Sequence, residues 1–262
     1  MTNFLIITST EDVASMNMRE RFLTSDTFRF EEMNSEWHDH PLFSLKGVNG
    51  NPSRNELLQE HHVFLGLTDE PLIFLSDLRL KGSGIDPDLL IFASRHRSKS
   101  GKPAFLLHST GNWSDDTRYG GKEREVSKTS AILLKEGYES LMHHKALDEY
   151  EQFDSFSIDL EVSHNGHTSL DKPLIFMELG SGKKQWKIEE AAELVSRAIL
   201  DTCFRYLEKQ EKKIKVGIGF GGTHYSPQFQ KVMRKHKAAV SFICPKYYIE
   251  ELSEQMILQM ID

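Results

Sequence analysis

Most of the apolar content of this chain falls in short continuous runs, each bounded by turn-forming residues, and this pattern limits its possible folds more than any other feature. Strands are expected at 3–8 (NFLIIT), 71–75 (PLIFL), 89–93 (LLIFA), 103–108 (PAFLLH), 156–162 (FSIDLEV), 173–179 (PLIFMEL), 214–220 (IKVGIGF) and 239–243 (AVSFI). Several show no polar alternation, which suits strands covered on both faces. Helical patterns lie between them at 11–24, 129–150, 188–207, 227–237 and 249–260. In 188–207, Ile188, Ala191, Ala192, Val195, Ala198, Ile199 and Leu207 repeat at three- and four-residue spacing and form one buried stripe. Ser226–Pro227 reads as a helix cap followed by proline at the first helical position. Strands alternating with helices give an α/β fold, a single compact unit with a mixed, largely parallel sheet.

At 262 residues and 30.1 kDa the chain can bury a full core without staples, and it is expected to form one domain over 1–262. Residues 25–70 are less regular and read as a subdomain or an inserted hairpin. Hydrophobic residues at 39% and charged residues at 27% exclude collagen-like, disordered and disulfide-rich classes. Cys203 and Cys244 are the cysteines, and two isolated thiols indicate a reducing compartment. The opening MTNFLIITSTEDVASM lacks a basic segment before its short apolar run, and no stretch is long enough to span a bilayer. A soluble, cytoplasmic monomer without a membrane partner is expected.

The net charge of −7 argues against indiscriminate polyanion binding, DNA included. Residues 94–128 nevertheless carry 8 basic and 4 acidic side chains, and 183–246 carry 14 and 6. Charge alone favours solvated helix faces for these blocks while leaving room for a local phosphate-binding face.

The strand ends hold the chemistry. Strand 89–93 runs into Ser94-Arg95-His96-Arg97-Ser98-Lys99-Ser100-Gly101-Lys102, and strand 103–108 ends on His108. Strand 156–162 leads to Ser163-His164-Asn165-Gly166-His167, strand 173–179 carries Glu178 before Gly180-Ser181-Gly182-Lys183, and strand 214–220 opens into Gly221-Gly222-Thr223-His224-Tyr225. Open α/β sheets bind ligands beside the carboxyl ends of their strands. Each residue alone reads as an ordinary loop residue, so it is their convergence on one rim that points to a site. Lys102-Pro103-(AFLL)-His108 and Lys172-Pro173-(LIFM)-Glu178 match, so neighbouring strands in register would set His108 and Glu178 at one height. The pairs His61–His62 and His143–His144 lie away from these ends and read as structural.

Common motifs do not fit. Gly217-Ile218-Gly219-Phe220-Gly221-Gly222 follows a strand, but no acidic residue stands about 20 positions on, as dinucleotide binding requires. Gly180-Ser181-Gly182-Lys183-Lys184 lacks the first glycine and the hydroxyl residue of a P-loop. There is no H-E-x-x-H, C-x-x-C or G-x-S-x-G. Imidazoles beside a carboxylate suit Zn²⁺, or a direct general acid–base set. Arg95, Arg97, Lys99, Lys102 and Lys183 could hold phosphate, and Trp113 and Tyr225 could stack on a base, although both rings also suit packing.

Three segments together resemble one family. SRHRSKSGKPAFLLHSTGNW (94–113), EVSHNGHTSLDKPLIFMELGSGKKQW (161–186) and GIGFGGTHYSP (217–227) are similar to the archaeal and plant type of D-aminoacyl-tRNA deacylase. Two departures stand out. The family pattern has adjacent histidines followed by Gly-Pro-Thr where this chain has His164-Asn165-Gly166-His167-Thr168, and Gly-Gly-Gly-His-Tyr-Ala-Pro where it has Thr223 and Ser226.

The resemblance implies a fold related to phosphorylase-like and peptidyl-tRNA hydrolase-like proteins. It also implies a zinc-dependent hydrolase that cleaves the ester between a D-amino acid and the terminal ribose of tRNA. In that scheme the metal ligands come from His96, His108, His164, Glu178 and His224. Of these, His164, Glu178 and His224 take part in proton transfer, and the Gly221 and Gly222 amides receive the oxyanion. Arg95, Arg97, Lys99, Lys102 and Lys183 face tRNA phosphates. The alternatives are a peptidyl-tRNA or other aminoacyl-ester hydrolase, a nucleoside phosphorylase-like enzyme, and a non-catalytic tRNA-binding protein.

Overall fold

Strand β1 (Asn3–Ser9) is entirely apolar through its centre and lies between two parallel neighbours, as its lack of alternation requires. The computed structural model describes residues 1–209 and 214–261. After β1 the chain forms α1 (Val13–Thr24), β2 (Phe28–Trp37), β3 (His40–Val48), α2 (Pro52–Leu57), β4 (His62–Thr68), β5 (Leu89–Arg95) and β6 (Ala104–His108). It continues through β7 (Gly111–Asn112), β8 (Glu125–Val126), α3 (Ala131–Lys145), β9 (Ser157–Leu160), β10 (Leu174–Gly180) and α4 (Glu189–Lys209). The last elements are β11 (Lys215–Phe220), α5 (Pro227–Lys235), β12 (Ala238–Cys244) and α6 (Glu254–Ile261).

Eight of these strands form one mixed sheet in the order β2-β3-β4-β1-β5-β10-β6-β9, with β4, β1, β5 and β10 all parallel. β6 runs antiparallel to β10, and β9 runs parallel to β6. β11 and β12 pair separately, in parallel. The whole is an α/β fold in a single compact unit, as expected.

Helices α1, α3 and α4 cover one face of the sheet. The expected stripe of α4 (Ala191, Ala192, Val195, Ala198, Ile199, Leu207) is buried there against Phe4, Ile6, Ile91 and Met177. α1 starts where Asp12 accepts a hydrogen bond from the Ser15 amide, and α3 where Ser130 accepts one from Leu133. The other face is covered by Trp37, Leu72, Leu75, Leu78 and Ile85 packed on Leu5, Ile7, Leu90, Phe92, Leu174 and Phe176.

Three local expectations are corrected. Residues 71–75 are not a strand. Leu72–Phe74 form a 3₁₀ turn whose Leu72 and Leu75 reach the core while Phe74 faces outward, a three-residue period instead of an alternating one. Of the two readings of 25–70, the hairpin is present as β2–β3 at the sheet edge, and the segment also supplies the unexpected interior strand β4, where Gly66 leaves space for the Trp37 ring. Ser226 precedes α5 but does not cap it; its hydroxyl donates to the Leu160 carbonyl instead. No helix among the described residues is long and apolar enough to cross a membrane.

Candidate active site

Side chains two apart on a strand share a face. On β5 the sequence Leu90, Phe92, Ser94 and on β10 Leu174, Phe176, Glu178 run along the face away from α4, apolar at first and polar at the carboxyl end. Ser94 and Glu178 are register partners, and the Ser94 hydroxyl donates to Glu178 Oε1 at 2.5 Å.

β6 brings His108 to this polar end from the opposite direction. Because β6 and β10 are antiparallel, His108 pairs with Phe176, so His108 and Glu178 are diagonal neighbours on one face and not at equal height as the repeated Lys-Pro pattern suggested. His108 stacks on Phe176 with ring centroids 5.2 Å apart, and its Nε2 lies 3.8 Å from Glu178 Oε2.

His96 follows β5 and is held on several sides. Its amide donates to Leu179 O at 3.0 Å, its carbonyl accepts from Trp186 Nε1 at 2.9 Å, and the preceding Arg95 amide donates to Asp12 Oδ2 at 2.8 Å. Its Nδ1 stands 3.3 Å from Glu178 Oε2 and 3.5 Å from Glu161 Oε2.

Glu161, just past β9, is the central residue that the sequence reading missed. It is buried, and His224 Nε2 lies 2.8 Å from its Oε1. A carboxylate set between Leu160 and Val162 immediately before a histidine-rich turn was the available signal, but it was hidden inside an expected apolar strand. His164 closes the group, with its ring 4.2 Å from that of His108 and 4.6 Å from that of His224, and its Nδ1 is 2.8 Å from Val162 O. His167 lies outside the cluster, buried against Phe92 and Phe176.

The electrostatics are those of a dense buried charge cluster. Burial pulls His96 and His108 toward neutrality, but Glu178 and Glu161 outweigh it and both imidazoles are raised above their ordinary range. His164 behaves in the opposite way: burial, then the His108 charge, pushes it down to about 3. Burial raises the carboxyls of Glu161 and Glu178, yet the surrounding histidines prevail and hold both below the usual carboxylate range.

The donor set fits a metal ion. His108, Glu161 and His164 form one group with ligand atoms within 4.8 Å of one another, and His96, Glu161 and Glu178 form a second that shares Glu161. Both Glu161 oxygens and His96 Nε2 are buried without an aligned hydrogen bond. Burying these carboxylates is costly, and a cation bound among the oxygen and nitrogen donors would offset it beyond what the histidines supply.

Arg95, Arg97, Lys99, Lys102 and Lys183 are all exposed, Arg95 at the end of β5 and the others on the loops that follow β5 and β10. The two loops are joined by the Ser98 amide donating to Ser181 O at 3.3 Å, and Tyr225 donates to Ser98 Oγ at 3.3 Å. Arg95 also lies over the Trp186 ring, 5.5 Å from its centroid. The expected oxyanion pair is corrected in part: the Gly221 amide is committed to Cys244 O at 2.8 Å, which leaves Gly222. Trp113 is no stacking platform, because it is buried and donates from Nε1 to Ser163 O.

The model of the D-aminoacyl-tRNA deacylase family matches residues 83–262, the part that carries this cluster. The chain is 32% identical to a D-aminoacyl-tRNA deacylase of Thermococcus kodakarensis, covering 98% of this chain and 85% of the relative. It is 35% identical to one from Methanococcus maripaludis over 66% of this chain and 67% of the relative. A solved structure of a conserved protein of unknown function superposes with a TM-score of 0.80 at 28% identity, covering 99% of this chain and 82% of that one.

Proposed function

The chain belongs to the D-aminoacyl-tRNA deacylase family, a family of ester hydrolases, and from that premise we propose that the His96–His108–Glu161–His164–Glu178–His224 cluster is where D-aminoacyl-tRNA is hydrolysed, with zinc held in it. The observation that carries this reading is Glu161: a buried carboxylate with imidazoles around it and neither oxygen in an aligned hydrogen bond.

His108, Glu161 and His164 would hold one ion, and His96, Glu161 and Glu178 offer a second position. A Zn²⁺ ion bound there supplies Lewis acidity, which lowers the pKa of water near neutral pH and polarises an ester carbonyl. The chain's own residues do the rest. His224, 2.8 Å from Glu161, takes the proton released as water adds to the ester carbon and returns it to the departing ribose oxygen. Glu161 and Glu178 keep the neighbouring imidazoles oriented, and the Gly222 amide faces the developing oxyanion. Arg95 at the end of β5 and the exposed loop of Arg97, Lys99 and Lys102, with Lys183 on the loop joined to it, hold acceptor-end phosphates. An aminoacyl ester is already activated, so positioning of water carries much of the rate.

The test is release of labelled amino acid from D-Tyr-tRNA and L-Tyr-tRNA, each with and without chelator, followed by metal add-back. Release from the D ester only, abolished by chelation and restored by zinc, is expected. Release that ignores chirality would replace this reading with a general aminoacyl-ester hydrolase, and indifference to chelator would remove the metal. In His224→Ala, loss of hydrolysis with tRNA binding retained is expected; unchanged turnover would exclude His224 from proton transfer.

A further inference from the structure

The reading above leaves the terminal nucleobase of the substrate without a seat, because Trp113 is buried and Tyr225 is packed between His96 and His224 with its hydroxyl on Ser98. A different aromatic residue stands at the rim. After β12 the chain forms a 3₁₀ turn over Lys246–Glu251. The turn is fastened to the histidine loop, with the Lys246 amide donating to Gly222 O at 3.1 Å, two residues before His224. Tyr247 follows directly and is 53% exposed. Tyr248 braces it from one side, with ring centroids 4.9 Å apart and planes at 59°. Partial burial, then Tyr248 and the Glu161 carboxylate, raises the Tyr247 phenol above its ordinary range. Lys246, next to it, is also exposed.

We propose that Tyr247 is the stacking platform for the 3′-terminal nucleobase of the tRNA substrate, with Lys246 beside it for the adjoining phosphate. This assignment rests on the deacylase reading. Every nucleobase presents a π-face that such an exposed ring can hold. A base stacked there brings its ribose, and so the ester, toward the Gly222–His224 loop to which the turn is fastened. Tyr248 limits the rotation of the Tyr247 side chain, so less freedom is lost when the base docks.

Two measurements test the assignment. In the first, Tyr247→Ala should raise KM for D-Tyr-tRNA on the order of tenfold or more while kcat stays within about twofold, a split set by the strength of base stacking. Tyr247→Phe, which keeps the ring, should restore KM, and the exposure of the side chain means both variants should melt with the wild type. In the second, the fluorescence of 2-aminopurine riboside 5′-monophosphate should be quenched on titration with wild type and Tyr247→Phe, and not with Tyr247→Ala. An unchanged KM in Tyr247→Ala, or quenching that survives it, would overturn the platform. If the wild type cleaves no D-Tyr-tRNA, the deacylase reading fails, and the titration still decides whether Tyr247 seats a base.

Discussion

Glu161 and His224 meet at 2.8 Å although they come from different sheets, the glutamate from the end of β9 and the histidine from the loop after β11. The approach is fixed by hydrogen bonds joining the segment after β9 to the His224 loop and to β12. The Val162 amide donates to His224 O at 2.9 Å, the Ser163 amide to Ile243 O at 3.0 Å, and the Ile243 amide to Ser163 Oγ at 3.1 Å. The small sheet is thereby locked to the large one at the place where the chemistry is expected.

A glycine next to the cluster should be intolerant of any side chain. A Cβ on Gly180 would lie 2.8 Å from the Cβ of His96 and 2.9 Å from its ring. Gly180→Ala should therefore displace His96 and reduce kcat about tenfold or more, with a destabilisation of about 1–3 kcal/mol from overpacking. Steady-state kinetics and thermal melts check this, and a variant with wild-type kcat would show that His96 does not need its present position.

Asp12 links helix formation to the site. One carboxylate oxygen accepts from Ser15 N at 3.0 Å and the other from Arg95 N at 2.8 Å, next to His96. Asp12→Ala should cost about 1–2 kcal/mol through the lost cap. It should also lower kcat, because the segment carrying His96 loses an anchor. Denaturant unfolding and kinetics should both respond; a stability loss with unchanged kcat would confine Asp12 to capping.

Much of this arrangement could be read from the residues. The continuous runs in β1, β5 and β10 announced buried parallel strands, and those of β5 and β10 ended on a residue of the site or beside one. A hairpin was one of the two readings of 25–70, but its strands could not be placed, because an edge strand rich in Glu31, Glu32 and Glu36 has one exposed face and lacks a clean apolar alternation. The direction of β6 was not legible either. Its residues pack the same way parallel or antiparallel, so the diagonal placement of His108 against Glu178 emerged only with the register. Glu161 was hidden for a related reason: a strand's final residue can turn into a site or out to solvent, and its neighbours Leu160 and Val162 do not decide which.

Acid should destabilise the fold through histidines buried in neutral form. Burial pushes His167 down to about 4, and His144 is lowered in the same way. Each folded-state value lies below that of the unfolded chain, so the unfolded state binds more protons as pH falls from about 6.5 to about 4, and stability drops across that window. The expected loss is on the order of 1–2 kcal/mol per histidine at about pH 5. Urea unfolding at a series of pH values measures it. His167→Phe, which cannot charge, should flatten the slope; an equal slope in that variant would assign the acid sensitivity elsewhere.

Metal removal should also be visible without any substrate. An ion bound among Glu161, Glu178 and their histidines would stabilise the folded chain by mass action, so chelation should lower the melting temperature and zinc should restore it. A melt indifferent to both would mean that the cluster is satisfied without a cation.

The most direct measurement is the single-turnover release of D-tyrosine from D-Tyr-tRNA by wild type and Glu161→Gln, with tRNA binding followed in parallel. The neutral amide keeps the shape of the side chain and removes the charge that the surrounding histidines share. A fall on the order of a hundredfold or more in release, with tRNA affinity unchanged, is expected if this cluster performs the hydrolysis. Release within about threefold of wild type would contradict it and place the reaction elsewhere on the molecule.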